Sequence, residues 1–334
     1  MPSDDTIYAY AVGRTRALEK RLLEKSQIER MIEASSAEDV IKVLSESDYA
    51  NALADLTDIY DFEKVLQSEL QKSLELIKSI SPKPELIALM ALRYDVHNLK
   101  VIFKAKYLGI KSDLIVPAGT IAAPRLQSAV DEEDFRDLPD RLRKACEMIT
   151  EGFPVSRDPQ LIDINLDQAL FEQLLHDAKR LNNAYMEGLF SRQVDLINLK
   201  TLVRVKRMGL DREFLKKALI SGGFLAHDRL TVFIDEPLES LITGLSMSQY
   251  SELAAEGIRD WIDKGTASRL EKLADDYITG YLKKGKWSPF GVEPLIGYLW
   301  AKEIEIKNIR LLMVGKINKL PSEAIRERIR DVYI

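Results

Sequence analysis

Three histidines, one cysteine and many carboxylates are the residues from which this chain could build a reactive site. A hydrolytic metal centre needs ligands at a fixed spacing, as in H-E-x-x-H, where two imidazoles on one helix face reach the same ion. His97, His176 and His227 lie far apart and share no such spacing, so ordinary structural or surface histidines are expected. Cys146 has no histidine near it in sequence to draw off its proton and reads as a buried, inert thiol. A lone cysteine cannot form an intramolecular disulfide and argues against a cysteine-based metal site. Gly315-Lys316 lacks both the earlier glycine and the following Ser or Thr of a phosphate-binding loop, and it lies inside a predicted helix. Gly222-Gly223 reads as a turn, and no two carboxylates stand out as an acid–base couple. The chain is therefore read as having no catalytic, cofactor-binding or metal-binding residues, and as doing no chemistry of its own.

The elements that would position any site are helical. Hydrophobic residues make up 46% and charged residues 30% of the 334, a composition that buries substantial cores while keeping a charged surface. The length suits two or three small cores better than one. Sixteen glycines and twelve prolines are few for a sandwich or barrel, which needs turn residues at short intervals. A net charge of −5 argues against a dedicated nucleic-acid binder. No run of about 18 apolar residues occurs, so no membrane span is expected. The polar, acidic start does not resemble a secretory signal, which points to a reducing cytoplasm.

Apolar residues recur at helical spacing almost throughout. Ile7, Ala11, Leu18 and Leu22 form the expected stripe of a first helix, and Ser35 to Asp39 a capped start for the next. Helix is predicted over 61–80, then from about Pro84 to Leu108 with Gly109 as its C-terminal cap. Breaks are expected at 116–119, at Gly152-Phe153-Pro154 through Pro159, at Gly209 and at Gly222-Gly223. Leu230 to Ile234 reads equally as a short strand or a helical turn. Gly285 to Gly291 is a loop, and the final helix begins near Pro294.

An internal repeat is the strongest signal. Asp95-Val96-His97-Asn98-Leu99-Lys100 recurs 100 residues later as Asp195-Leu196-Ile197-Asn198-Leu199-Lys200, and the match extends through Lys104/Arg204, Lys106/Lys206 and Gly109/Gly209. A weaker third copy, Glu305-Ile306-Lys307-Asn308-Ile309-Arg310, reaches Lys316. Leu44-Ser45-Glu46-Ser47-Asp48-Tyr49 likewise recurs as Leu245-Ser246-Met247-Ser248-Gln249-Tyr250, without a clean middle copy. Three related helical units follow, at approximately 1–115, 116–215 and 216–334.

On a helical wheel the first repeated segment is apolar over most of its circumference, as a helix central to its bundle should be. Asn98, Asn198 and Asn308 fall inside the apolar arc. A buried amide must be hydrogen-bonded, so each is expected to tie its central helix to neighbouring backbone. The opposite edge is basic: Lys100 and Lys104, then Lys200, Arg204 and Arg207, then Lys307 and Arg310. That edge is either solvated or a meeting surface for acidic partners or lipid headgroups. Trp287, Pro289 and Phe290 are either a partner contact or a lid on the third core.

These residues resemble the C subunit of the prokaryotic A/V-type rotary ATPases, the counterpart of the d subunit of the eukaryotic vacuolar ATPase. The resemblance rests on Tyr94 to Lys100 with Lys104, Lys106 and Gly109, on Tyr8-Ala9-Tyr10-Ala11-Val12-Gly13-Arg14-Thr15-Arg16-Ala17-Leu18-Glu19, and on the threefold repeat. It spans nearly the whole chain. It implies an all-α protein of three similar helical bundles in a pseudo-threefold, funnel-like arrangement. It further implies a non-catalytic rotor subunit, one copy per complex, between a shaft made of the D and F subunits and the membrane ring of proteolipids (c or K). Such a protein is peripheral on the cytoplasmic face, transmits torque for ion transport or ATP synthesis, and needs no cofactor, nucleic acid or small-molecule substrate. The alternative reading is a helical scaffold or adaptor outside any rotary ATPase.

Overall fold

The computed structural model describes residues 5–54, 56–109 and 114–334, and among them the chain is all-α, with no strand. It divides into two compact units, one formed by residues 1–87 with 255–334 and one by 88–254.

The first unit opens with helices α1 (Ala9–Glu19), α2 (Lys25–Glu33), α3 (Ala37–Leu44), α4 (Ala50–Leu53) and α5 (Phe62–Ile80). Helix α6 (Pro84–Leu108) begins there and continues in the second unit. The second unit adds α7 (Ala123–Glu132), α8 (Asp140–Ser156), α9 (Gln160–Arg180), α10 (Ala184–Arg207), α11 (Arg212–Ala218), α12 (His227–Val232), α13 (Leu238–Leu245) and α14 (Ser251–Leu253). The chain then returns to the first unit with α15 (Arg259–Lys264), α16 (Ser268–Gly285), α17 (Glu293–Ile317) and α18 (Ser322–Arg326).

Local chemistry sets the helix ends. Ser36 caps α3 by accepting the Asp39 amide on its hydroxyl, and Asn183 caps α10 by accepting the Met186 amide. Gly109 and Gly209 follow α6 and α10 with φ of 65°, a left-handed conformation that costs a glycine little. Residues 230–232 are helical, part of α12.

Two local expectations shift. The buried face of α1 is Ala11, Val12, Thr15 and Glu19, whereas Ile7 is exposed in a preceding 3-10 turn. Thr15 is satisfied by donating to the Ala11 carbonyl, and Glu19 by Arg16. Helix α8 also runs through Gly152, Phe153 and Pro154 to Ser156. The Phe153 ring stacks on Tyr107 at 4.2 Å, so packing holds this last turn helical, and the reversal comes only at Arg157, with φ of 50°. Proline there forfeits one backbone bond near the helix end, where fewer are made.

Each unit has a helix at its centre. In the first, α17 is surrounded by α1, α3, α5 and α16, and its Leu295, Ile296, Leu299, Ile304, Ile309, Leu312 and Met313 are buried. In the second, α10 packs against α9, α11 and α12, with α8 against α9. Each such aliphatic side chain contributes about 1.5–3 kcal/mol on burial, so α17 and α10 are fixed firmly before any polar group is considered.

Candidate functional site

The conspicuous chemistry of this chain is buried and repeated. Helices α6, α10 and α17 each carry an acid, an asparagine three residues on and a lysine eleven residues on: Asp95/Asn98/Lys106, Asp195/Asn198/Lys206 and Glu305/Asn308/Lys316. At about 100° per residue, eleven residues return to within about 20° of the start, so acid and lysine share one face with the asparagine beside them.

The asparagines make the same pair of bonds three times. The Asn98 amide donates to the Val116 carbonyl at 2.9 Å and accepts from the Val116 amide at 2.9 Å. Asn198 does this with Ile220, at 2.8 and 2.9 Å. Asn308 does it with Arg330, at 3.0 and 2.9 Å. Each side chain thus imitates a strand edge and holds an otherwise unpaired residue of the following segment.

The acids hold the next turn of that segment. Asp95 accepts from the Thr120 amide at 2.9 Å, the Ile121 amide at 3.0 Å and the Thr120 hydroxyl. Asp195 accepts from the amides of Phe224 and Leu225, both at 3.0 Å, and from the Tyr250 hydroxyl at 2.7 Å. Gly119 and Gly223 let the backbone come this close, since a Cβ on either would lie 2.1 Å from the carboxylate oxygen. Burial pushes both aspartates above the usual carboxylate range, and the amide and hydroxyl donors pull partly back.

The lysines close the far end by capping a short helix. Lys106 donates to the Val130 carbonyl in the last turns of α7 at 2.7 Å and to Glu133 at 3.0 Å. Lys206 donates to the carbonyls of Phe233, Ile234 and Glu236 just past α12. Lys316 donates to the Ile32 carbonyl at 2.6 Å, near the end of α2. A cation at a helix C-terminus satisfies carbonyls that lack intrahelical partners.

The third set draws on both ends of the chain. Glu305 accepts from the Leu23 amide at 2.5 Å and the Tyr49 hydroxyl at 2.9 Å, as Asp195 accepts from Leu225 and Tyr250. Ile32 stands to Lys316 as Ile234 stands to Lys206. Residues 23–49 therefore serve the third set as 225–250 serve the second, and the repeated Leu-Ser-x-Ser-x-Tyr segment ends each on the tyrosine that reaches the acid. Lys302 joins only the third set. Its Nζ lies 2.6 Å from Glu305 and 4.8 Å from the centroid of the Tyr49 ring. Burial alone would lower the Lys302 ammonium, but Glu305, with Tyr298 and Glu69, more than offsets this and leaves it raised. Burial, reinforced by Glu305, holds the Tyr49 hydroxyl well above its ordinary range, so it remains a donor.

The basic edge is engaged within the units. Lys100 pairs with Asp167 at 2.6 Å and Lys104 with Asp163 at 2.8 Å, joining α6 to α9. Lys307 pairs with Asp275 on α16 at 2.5 Å, and Arg310 with Glu63 on α5. Lys200 is half-buried while Arg204 and Arg207 are exposed, and all three are engaged as well. His227 joins the second set, with Nε2 2.8 Å from the Ile220 carbonyl that Asn198 also binds, and His97 places Nε2 2.8 Å from the Leu114 carbonyl. Exposed His176 lies beside Asp177, and burial pushes the Cys146 thiol up to about 12. Sequence reasoning found the asparagines but missed Lys302 and the capping role of the lysines at position eleven. The eleven-residue spacing from acid to lysine was the available signal for the latter.

Ties of this kind position helices. The model of the family "ATP synthase (C/AC39) subunit" matches residues 11–328. The C subunit of the V-type sodium ATPase of Enterococcus hirae is 30% identical over 319 residues, covering 95% of this chain and 96% of that protein. The C subunit of the A-type ATP synthase of Methanocaldococcus jannaschii is 28% identical over 96% of this chain and 85% of its own length. That of Pyrococcus furiosus is 28% identical over 98% and 91%. The chain belongs to the ATP synthase (C/AC39) subunit family and is a structural, non-catalytic member of an A/V-type rotary ATPase.

Proposed function

We propose that this chain is the central-stalk coupling element of its rotary ATPase. It joins the shaft made of the D and F subunits to the membrane proteolipid ring and carries torque between them, as one copy per complex. The observation that carries this reading is the match to the C subunits of both a sodium ATPase and ATP synthases over nearly the full chain. No described helix is long and apolar enough to cross a membrane, in keeping with a peripheral place on the cytoplasmic face of the ring. Three related bundles in a funnel would present similar surfaces around the rotor axis.

The buried sets give this role a physical basis. A coupling that deforms dissipates torque, and well-packed helices resist deformation. Acid, asparagine and lysine tie the second central helix to the segment that follows it, and the third set ties α17 both to its following segment and to residues 23–49. The basic edge adds ion-pair struts from α6 to α9 and from α17 to α5 and α16. The test is uncoupling: complexes reconstituted without this chain should hydrolyse ATP without building an ion gradient.

A further inference from the structure

One end of the first unit carries a chemistry that neither the buried sets nor the coupling role uses. Helices α5 and α17 run antiparallel: Arg310 meets Glu63 near the start of α5, and Tyr298 meets Ser73 farther along it. The α5–α6 turn, Ser81 to Lys83, therefore lies at the same end of the unit as the α16–α17 loop. The end of α16 and that loop together read Lys283-Lys284-Gly285-Lys286-Trp287-Ser288-Pro289-Phe290. Trp287 is 81% exposed and Phe290 44%, although aromatics of this size are ordinarily buried. Ser288 donates to the Phe290 carbonyl at 2.8 Å, and Gly291, with φ of 137°, turns the chain into α17, so the loop projects its aromatics in a set shape.

The lysines here differ from those of the basic edge. Lys100, Lys104 and Lys307 each hold a carboxylate. Among the described residues, Lys78, Lys83, Lys283, Lys284 and Lys286 have none within ion-pair reach. Lys286 lies instead between two rings, 5.8 Å from the centroid of Trp287 and 5.4 Å from that of Tyr333. Nearest these lysines in sequence stand the carboxylates Glu75, Glu85 and Glu293; Gln71 donates to Glu75, and one Glu293 oxygen is buried. Five lysines thus outnumber three carboxylates around the turn and the loop, beside an exposed tryptophan and phenylalanine.

We propose that this end docks on an anionic bilayer surface, with Trp287 and Phe290 seated at the headgroup level and Lys283, Lys284 and Lys286 against lipid phosphates and carboxylates. Tryptophan favours the headgroup region because its ring is apolar and its N–H polar, and lysine stems reach past apolar surface to keep their ammonium groups wet. Few apolar residues alone bind a membrane weakly, and a polybasic cluster supplies the second signal. An acidic protein surface would take the same lysines and aromatics, and the vesicle experiment separates it from a bilayer. The loop's own chemistry carries the proposal, which goes beyond the coupling role.

The test uses the full chain and vesicles of phosphatidylcholine with phosphatidylserine. Trp261 and Trp300 are buried, so the iodide-accessible emission comes from Trp287. Adding these vesicles should shift that emission to the blue, protect it from iodide and sediment the chain, and the binding should fade with salt. K283Q/K284Q/K286Q should weaken binding about a hundredfold while its circular dichroism and melting stay unchanged. Pure phosphatidylcholine should bind far more weakly. No sedimentation with the anionic vesicles, equal binding by the triple variant, or a bound state whose Trp287 stays open to iodide would each overturn the proposal. Failure on vesicles with retained, lysine-dependent capture of the other ATPase subunits would assign the patch to an acidic protein instead.

Discussion

Replacing Asn198 by leucine keeps the shape of the side chain and removes both of its polar groups. The Ile220 amide, now bonded at 2.9 Å, would lose its partner inside a site closed to water, since Ile220 and Asn198 are both buried, while the Ile220 carbonyl keeps the His227 ring nitrogen at 2.8 Å. An orphaned buried group costs about 1–3 kcal/mol, and the apolar atoms of leucine return about 1 kcal/mol. The net loss should be about 1–2 kcal/mol. Asn308→Leu should cost more, about 2–4 kcal/mol, because both the amide and the carbonyl of buried Arg330 lose their partner. Asn98→Leu should cost less, about 1–2 kcal/mol, because half-buried Val116 can recruit water. Urea unfolding followed by circular dichroism measures all three. Trp261, Trp287 and Trp300 belong to the first unit, so fluorescence isolates the Asn308 variant. An unchanged transition for Asn308→Leu, or a larger loss at Asn98 than at Asn308, would show that these amide ties do not carry the stability assigned to them.

Gly223→Ala should cost about 2–4 kcal/mol, because the new Cβ would collide with Asp195 and displace the two amides bonded to it. Gly13→Ala, where nothing lies within 4 Å on α1, should be neutral or slightly stabilising in the same unfolding assay. Tyr250→Phe should cost about 1.5–3 kcal/mol near neutral pH, by removing a donor from a buried carboxylate. Folded Asp195 holds its proton more tightly than the unfolded chain does, so its contribution to stability is present below the ordinary aspartate range and is lost as pH rises through its folded value. Losing the Tyr250 donor raises that value further. The Tyr250→Phe penalty should therefore be small in acid and grow with pH, and a pH-independent penalty would contradict the assignment.

Much of this was legible because the forces involved are local. Helical spacing, the Ser36 cap and the glycines after α6 and α10 depend on near neighbours in sequence. An asparagine inside an apolar arc requires a partner wherever it lies, which is how Asn98, Asn198 and Asn308 could be singled out. The partners themselves were not legible, since they lie 18 or 22 residues away in segments without regular structure. The break predicted over Gly152 to Pro159 falls only at 157–159, because stacking of Phe153 on Tyr107, a tertiary effect, accompanies a helix that runs on to Ser156. The ion pairs of the basic edge are not legible either, because Asp163, Asp167 and Asp275 come from neighbouring helices.

The completion of the third set by the N-terminal segment left one trace. The Leu-Ser-x-Ser-x-Tyr segment stands after the second central helix but before the first, at 44–49. That displacement says that one set must borrow its tyrosine from the other end of the chain. Tyr49 on Glu305 is that borrowing. Lys302, by contrast, occupies a position held by Leu92 and Arg192 in the other copies, and no repeat could have announced it.

The coupling role is tested most directly by measuring ATP hydrolysis and ion transport together in vesicles holding the reconstituted complex, with and without this chain. Complexes lacking it should hydrolyse ATP but build no gradient, and adding back the purified chain should restore transport. Restoration by Asn198→Leu should be weaker at temperatures where that variant is partly unfolded. A gradient built at the normal ratio of ions to ATP in the chain's absence would contradict a coupling role.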